Sequence, residues 1–157
     1  MYTPEKPAIL VSACLLGSKC RYNGKGELHE DVQGLMSRCH PIPVCPEIYG
    51  GLPTPRIPSE RSGNRVIGKT GEDVTAQYEK GARETLHMAQ LYHCPAAILK
   101  ERSPSCGSGQ IYDGTHTRTL IPGDGVTTEL LRKHGIAVFG ESETDKLEKL
   151  IDDMERM

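Results

Sequence analysis

The sequence predicts an α/β fold: a single Rossmann-like domain with a mainly parallel sheet flanked by helices. Three observations point there. Short apolar runs bounded by Gly and Pro recur at 8–16, 40–48, 94–101 and 136–142. Segments of helical spacing fall between and after them, and that alternation favours parallel strands joined by crossover helices. The length of 157 residues suits one domain, 1–157, able to bury a core without staples.

Each element has its own reason. "AILVSACLL" (8–16) is a continuous apolar run that breaks at Gly17. "CRYNGKGEL" (20–28) is turn material, and 30–38 reads as a short helix. "HPIPVCPEI" (40–48) is a Pro-edged strand, whereas 49–75 is too rich in Gly and Pro for regular structure. Between 74 and 93, Val74, Tyr78, Ala82, Leu86, Ala89 and Tyr92 share one helical face, with Asp73 as N-cap. "CPAAILKE" (94–101) returns to strand, and the Asp-Gly pair in 109–125 closes a hairpin or small excursion. A helix over 124–134 stops at Gly135, and "IAVFGES" (136–142) is the fourth strand. The last helix starts near Ser142 and repeats Leu147, Leu150, Ile151 and Met154 on one face.

Composition narrows the function. The 19 basic and 21 acidic residues leave a formal charge of −2, which disfavours a nucleic-acid or membrane-surface binder. No apolar run reaches membrane-span length, and "MYTPEKPAILV" lacks the layout of a signal peptide. A cytoplasmic protein is expected, so the six cysteines read as thiols or metal ligands rather than disulfides.

Ligands of open parallel sheets bind at the carboxyl ends of the strands. Cys14 lies toward the end of the first run, Cys45 at the end of the second and Cys106 just past the third. Three distant thiols are thereby expected on one rim. A structural zinc site would show paired C-x₂-C spacing, which is absent. A cysteine nucleophile needs a base, and none of His29, His40, His87, His93, His116 and His134 sits in a recognisable pairing context. An iron–sulfur cluster takes thiolates, and three protein ligands on a four-iron cluster leave one iron open. "CPE" adds the carboxylate of Glu47, and "SPSCG" adds the hydroxyls of Ser103 and Ser105. Cys20 either joins the site or pairs transiently with Cys14, while Cys39 and Cys94 read as packing residues.

The stretches "ACLLGSKCRYNGKG", "VCPEIYGGLPTPRIPSE", "GEDVTAQYEKGA", "AILKERSPSCG", "IYDGT", "GDGVTTELLRKHGI" and "VFGESE" together resemble the thiouracil desulfidase family over about residues 8–142. That resemblance implies an oxygen-sensitive [4Fe-4S] cluster held by three cysteines, which by motif are Cys14, Cys45 and Cys106. It further implies non-redox removal of sulfur from thiolated uracils, such as 4-thio-UMP or thiouracil. Glu47 would be the base that activates water, with Ser103 or Ser105 orienting the substrate. The motif carries His116 where an aromatic residue is expected. A nucleotide substrate would need cations, for which Arg56, Lys100 and Arg102 are the candidates. The expected partner is a small thiolated pyrimidine or nucleotide, with neither a membrane nor direct tRNA binding. Rival readings are an iron–sulfur or metal-binding sensor without turnover, and a cluster-free hydrolase or redox enzyme built on Cys106.

Overall fold

Every residue from Ile9 to Ser12 is buried, and so is every residue from Ala96 to Leu99, as in strands covered on both faces. The computed structural model describes residues 6–157. In chain order its elements are β1 (Ala8–Ser12), α1 (Glu30–Leu35), β2 (His40–Val44), α2 (Pro46–Tyr49), β3 (Ser59–Ser62), β4 (Arg65–Gly68) and α3 (Thr75–Leu91). There follow β5 (Ala96–Leu99), β6 (Gln110–Tyr112), β7 (Leu120–Pro122), α4 (Val126–Lys133), β8 (Ala137–Gly140) and α5 (Thr144–Glu155). Strands β2, β1, β5 and β8 form, in that order, one parallel sheet. The expected α/β architecture is therefore present, as a four-stranded parallel sheet flanked by helices.

Alternation within the strands divides the core. Ile9, Val11, Ala96 and Ile98 pack with Val32, Leu35, Leu147 and Ile151, beneath α1 and α5. Leu10, Ala97 and Leu99 pack on the opposite face with Ala89, Leu131 and Val138, beneath α3 and α4. Each fully buried Leu or Ile contributes roughly 1.5–3 kcal/mol, so these two layers hold the sheet together without large aromatics. Cys39 and Cys94 lie in these layers, as packing residues. Among the described residues, no helix is long and apolar enough to cross a membrane.

The chain runs from β1 outward to β2, then returns to the other side of β1 as β5. This reversal opens a crevice at the carboxyl ends of β1 and β5. The Lys100 backbone N–H donates to Ser12 Oγ at 2.8 Å across it.

Boundaries differ from the sequence reading in instructive ways. The first run is strand only to Ser12; Ala13–Leu16 coil into a 3₁₀ turn that Gly17 ends at a φ of 96°. The second becomes helix at Pro46, whose missing N–H is harmless at a helix start. The segment 49–75 is not wholly irregular. Its prolines stop at Pro58, and Ser59–Gly68 then forms the antiparallel hairpin β3–β4 around Gly63 and Asn64. Asp73 accepts the Thr75 N–H at 3.0 Å, but Val74 is the residue at the N-cap. Helix α3 ends at Leu91, so Tyr92 leaves the buried face and is exposed. In 109–125, Asp113 and Gly114 open a longer loop, because Tyr112 pairs with Leu120.

Helix α2 touches α3 through two glycines. A Cβ on Gly81 would run into the Pro46 carbonyl, and one on Gly50 into the Gln77 carbonyl. This contact fixes the short helix that follows Cys45. Gly81→Ala is therefore expected to destabilise the protein by about 1–3 kcal/mol, as overpacking does, and a thermal melt indistinguishable from wild type would refute the contact.

Candidate active site

A cavity of about 390 Å³ opens at the carboxyl ends of β1, β2 and β5. Cys14, Cys45 and Cys106 all line it, together with Cys20, Glu47, Ser103 and Ser105. A larger hollow of about 480 Å³ lies beyond Arg56, lined by Leu52, Pro53, Ile57 and Val74 among others, and contains no thiol.

Local structure explains each placement. Cys14 sits in the 3₁₀ turn after β1, where its carbonyl accepts the N–H groups of Gly17 and Glu27 and folds the 17–27 segment back over the rim. Cys45 is the N-cap of α2, directly after β2, and its thiol donates to the Cys20 carbonyl at 3.8 Å. The turn carrying Cys106 is organised by its own polar residues. Ser103 Oγ accepts the N–H groups of Ser105 and Cys106, each at 3.1 Å. The first turn of α4 then grips it: Val126 N–H donates to Pro104 O, Thr127 N–H to Ser105 O, and the Thr128 hydroxyl to Cys106 O. Gly125 is required at this junction, since a Cβ there would strike the Ser105 carbonyl.

Glu47 projects from α2 between these turns. Its Oε1 accepts Arg56 Nε at 2.8 Å, in a pair with side chains only 6 % and 14 % exposed. Its Oε2 accepts the Ser105 hydroxyl at 2.9 Å, with Ser103 Oγ at 3.5 Å. The two serine hydroxyls are 2.9 Å apart, so Ser103, Ser105 and Glu47 form a continuous polar chain. Ser105 is 1 % exposed, whereas Ser103 is half-buried at the cavity wall. Burial, and then the neighbouring charge of Glu47, raise the pKa of the buried Tyr78 hydroxyl. Its place on the apolar stripe of α3 marks Tyr78 in the sequence only as a core-facing residue.

The three expected substrate cations differ from one another. Arg56 bonds Glu47, the Cys20 carbonyl at 2.8 Å, the Pro53 carbonyl and Thr54, so its donors are engaged by the protein. Lys100 is held between Glu141 at 2.7 Å and Glu27 at 3.0 Å. Arg102 is exposed at the cavity mouth with a left-handed φ of 68°. His116 lies outside the cavity lining; its ring bonds the Ile67 carbonyl at 3.2 Å.

Three of the cavity's thiols are shifted upward. Burial pushes Cys106 up to about 12, and hydrogen bonding from Cys20 and then burial push Cys45 up as well. Cys20 is raised through its hydrogen bond with Cys14. No histidine lines the cavity among the described residues, so no imidazole stands ready to make a nucleophile of Cys106. Nor do three His, Cys, Asp or Glu side chains among them converge to hold a single metal ion. Thiols spread around a cavity suit a group with several metal atoms.

The sequence matches the 2-thiouracil desulfurase family over residues 9–143. This chain belongs to that family. A solved and a curated relative are each nearly its own length. The structure of the [4Fe-4S]-dependent thiouracil desulfidase TudS superposes with a TM-score of 0.87 at 44% identity, covering 94% of this chain and 99% of that one. The uncharacterized protein YbbK of Bacillus subtilis (strain 168) is 42% identical in an alignment that covers 88% of this chain and 99% of YbbK. The resemblance drawn from the motifs is thus correct as to family.

Two outcomes follow from the site. With Cys106 raised to about 12, its thiolate grows only as pH climbs toward that value. In metal-free, reduced protein at neutral pH, iodoacetamide should label Cys106 on the order of 10³-fold more slowly than a free thiol, with a rate that rises with pH. Mass spectrometry reads this, and rapid neutral labelling would revive the nucleophile. Arg56→Ala leaves the Glu47 carboxylate buried without its partner and should cost about 3–5 kcal/mol in urea unfolding.

Proposed function

We propose that this protein is a [4Fe-4S]-dependent desulfidase that replaces the sulfur of a small thiolated uracil, free base or nucleotide, with oxygen. The observation that carries the reading is the meeting of Cys14, Cys45 and Cys106 with Glu47 and the two serines in one cavity of a 2-thiouracil desulfurase family member. Cys14, Cys45 and Cys106 would hold the cluster. The residues fit it: three thiols reach the same cavity from three separate turns, with no zinc-type convergence on one point. When bound, such a cluster supplies an open iron that polarises the thiocarbonyl as a Lewis acid.

The protein side chains supply the proton chemistry. Glu47, held by Arg56 on one oxygen, takes a proton from water as that water attacks the ring carbon bearing sulfur. Ser103, at the cavity wall, orients the substrate, and Ser105 relays a proton between Ser103 and Glu47. A carbon–oxygen bond forms, the carbon–sulfur bond breaks, and the products are uracil or its nucleotide and hydrogen sulfide. Water and the thiocarbonyl account for every atom, and no electrons are transferred.

Anaerobic purification is expected to give brown protein with about four irons and four sulfides per chain. It should consume 4-thio-UMP, 2-thiouracil or 4-thiouracil, read as loss of thiocarbonyl absorbance. Glu47→Gln should keep the iron and lower turnover by roughly 10²–10⁴-fold. A brown protein inert toward all three compounds would favour a sensor, and a colourless one would remove the cluster.

A further inference from the structure

Cys14, Cys20, Cys45 and Cys106 all line the cavity, and the proposed reaction has no use for Cys20. This thiol is 6% exposed and stands in the segment between β1 and α1 that folds back over the rim. The segment is closely tied. Ser18 N–H donates to the Ala13 carbonyl at 3.1 Å, and Cys20 N–H to the Ser18 carbonyl at 2.9 Å. A Cβ on Gly26 would strike the Gly17 carbonyl, so the outgoing and returning arms of the segment lie in contact. The Cys20 carbonyl accepts Arg56 at 2.8 Å and the Cys45 thiol at 3.8 Å. Cys20 is thereby lodged between the turn of Cys14 and the start of α2.

Among the described residues, the four thiols are the only sulfur groups in the lining. The two hairpins add Tyr112, Arg118 and Glu60, whose Oε1 accepts the Gly114 and His116 N–H groups at 3.0 Å each. A peroxide entering the cavity therefore finds its preferred targets in the thiols. A thiol oxidises first to a sulfenic acid, and a second thiol within reach then closes a reversible disulfide; without one, oxidation proceeds to the irreversible sulfinic acid. Two observations make Cys14 the partner of Cys20 rather than Cys45. Cys14 is the side chain that acts most strongly on the Cys20 thiol, with Cys45 second. Five residues of one loop separate Cys14 from Cys20, whereas Cys45 is fixed at the start of α2 and its thiol is engaged by the Cys20 backbone.

We propose that Cys20 is a resolving thiol, which forms a disulfide with Cys14 when peroxide has removed the cluster and so keeps that ligand recoverable. Cys14 Sγ takes one oxygen atom from hydrogen peroxide and becomes a sulfenic acid, releasing water. Cys20 Sγ then attacks this sulfur, the sulfur–oxygen bond breaks, and a second water leaves. The two thiols lose two electrons in all, and the peroxide gains them. A reducing dithiol reverses the bond by exchange and ends as its own disulfide. The place of Cys14 among the cluster ligands rests on the desulfidase reading, whereas the disulfide itself does not.

The test has two arms, both on the full chain. In the first, reduced, metal-free protein is treated with hydrogen peroxide, blocked with iodoacetamide in denaturant and digested without reductant. Trypsin cuts after Lys19 and Arg21, so mass spectrometry should find the dipeptide 20–21 joined to the peptide ending at Lys19. In the second, anaerobically prepared, cluster-loaded protein is stripped by peroxide with a chelator, reduced with a dithiol and rebuilt with iron and sulfide. Wild type should regain most of its iron. Cys20→Ser should accept the cluster like wild type before oxidation, but after it should carry Cys14 as sulfinic acid and regain roughly a tenth of its iron or less. A bond from Cys20 to Cys45 overturns the proposal, as does sulfinic acid at Cys14 in wild type or full recovery by Cys20→Ser. Failure of Cys20→Ser to take up a cluster before any oxidation also overturns it, by making Cys20 a ligand. If wild type takes up no cluster at all but the peroxide bond still joins Cys14 to Cys20, the desulfidase reading falls and the resolving thiol stands.

Discussion

The buried pair between Glu47 and Arg56 draws together the turns that carry the thiols of the cavity. Glu47 comes from the helix after Cys45, and Arg56 from the long loop beyond it. Arg56 also caps the carbonyl of Cys20, which in turn accepts the Cys45 thiol. Through its second oxygen Glu47 reaches Ser105, and so the turn of Cys106. Removing two such charges from water costs several kcal/mol per ion, and well-packed apolar residues of similar size would often serve stability as well or better. The pair therefore makes most sense as a device for holding one carboxylate aimed, with its remaining lone pairs directed at serine hydroxyls.

Much of this was open to sequence reasoning because it depends on topology. "AILVS" and "AAIL" are apolar without alternation, the pattern of strands covered on both faces, and they form the two central strands. Placing Cys14, Cys45 and Cys106 on one rim required only that those strands be parallel, since the ends of parallel strands share one side of a sheet. The exact ends of the strands did not matter: Cys14 lies in a turn rather than a strand and still faces the cavity.

What remained hidden depends on side chains whose partners are distant in sequence. Arg56 sits in a loop dense in proline, where charge has no periodicity and a guanidinium looks equally suited to substrate or solvent. Its partners lie 9 and 36 residues away. Glu60 is harder still, because "SERS" has no apolar member to mark it as a strand, and the groups it bonds lie 54 and 56 residues further on. Tyr78 fits the apolar stripe of its helix so well that its hydroxyl is easily overlooked.

The β6–β7 hairpin departs from the chain after the Cys106 turn and rejoins it just before α4, without entering the parallel sheet. Its register is set by its own two strands and its seat by a neighbouring hairpin. The sheet, the thiols and the carboxylate are thus built without it. Such an arrangement separates what evolution can vary from what it must keep: the hairpin can be lengthened, recharged or exchanged while the reaction centre stays intact. Diversity in what enters the cavity would then accumulate in this excursion, and a comparison of substrate ranges should track its composition more closely than that of the core.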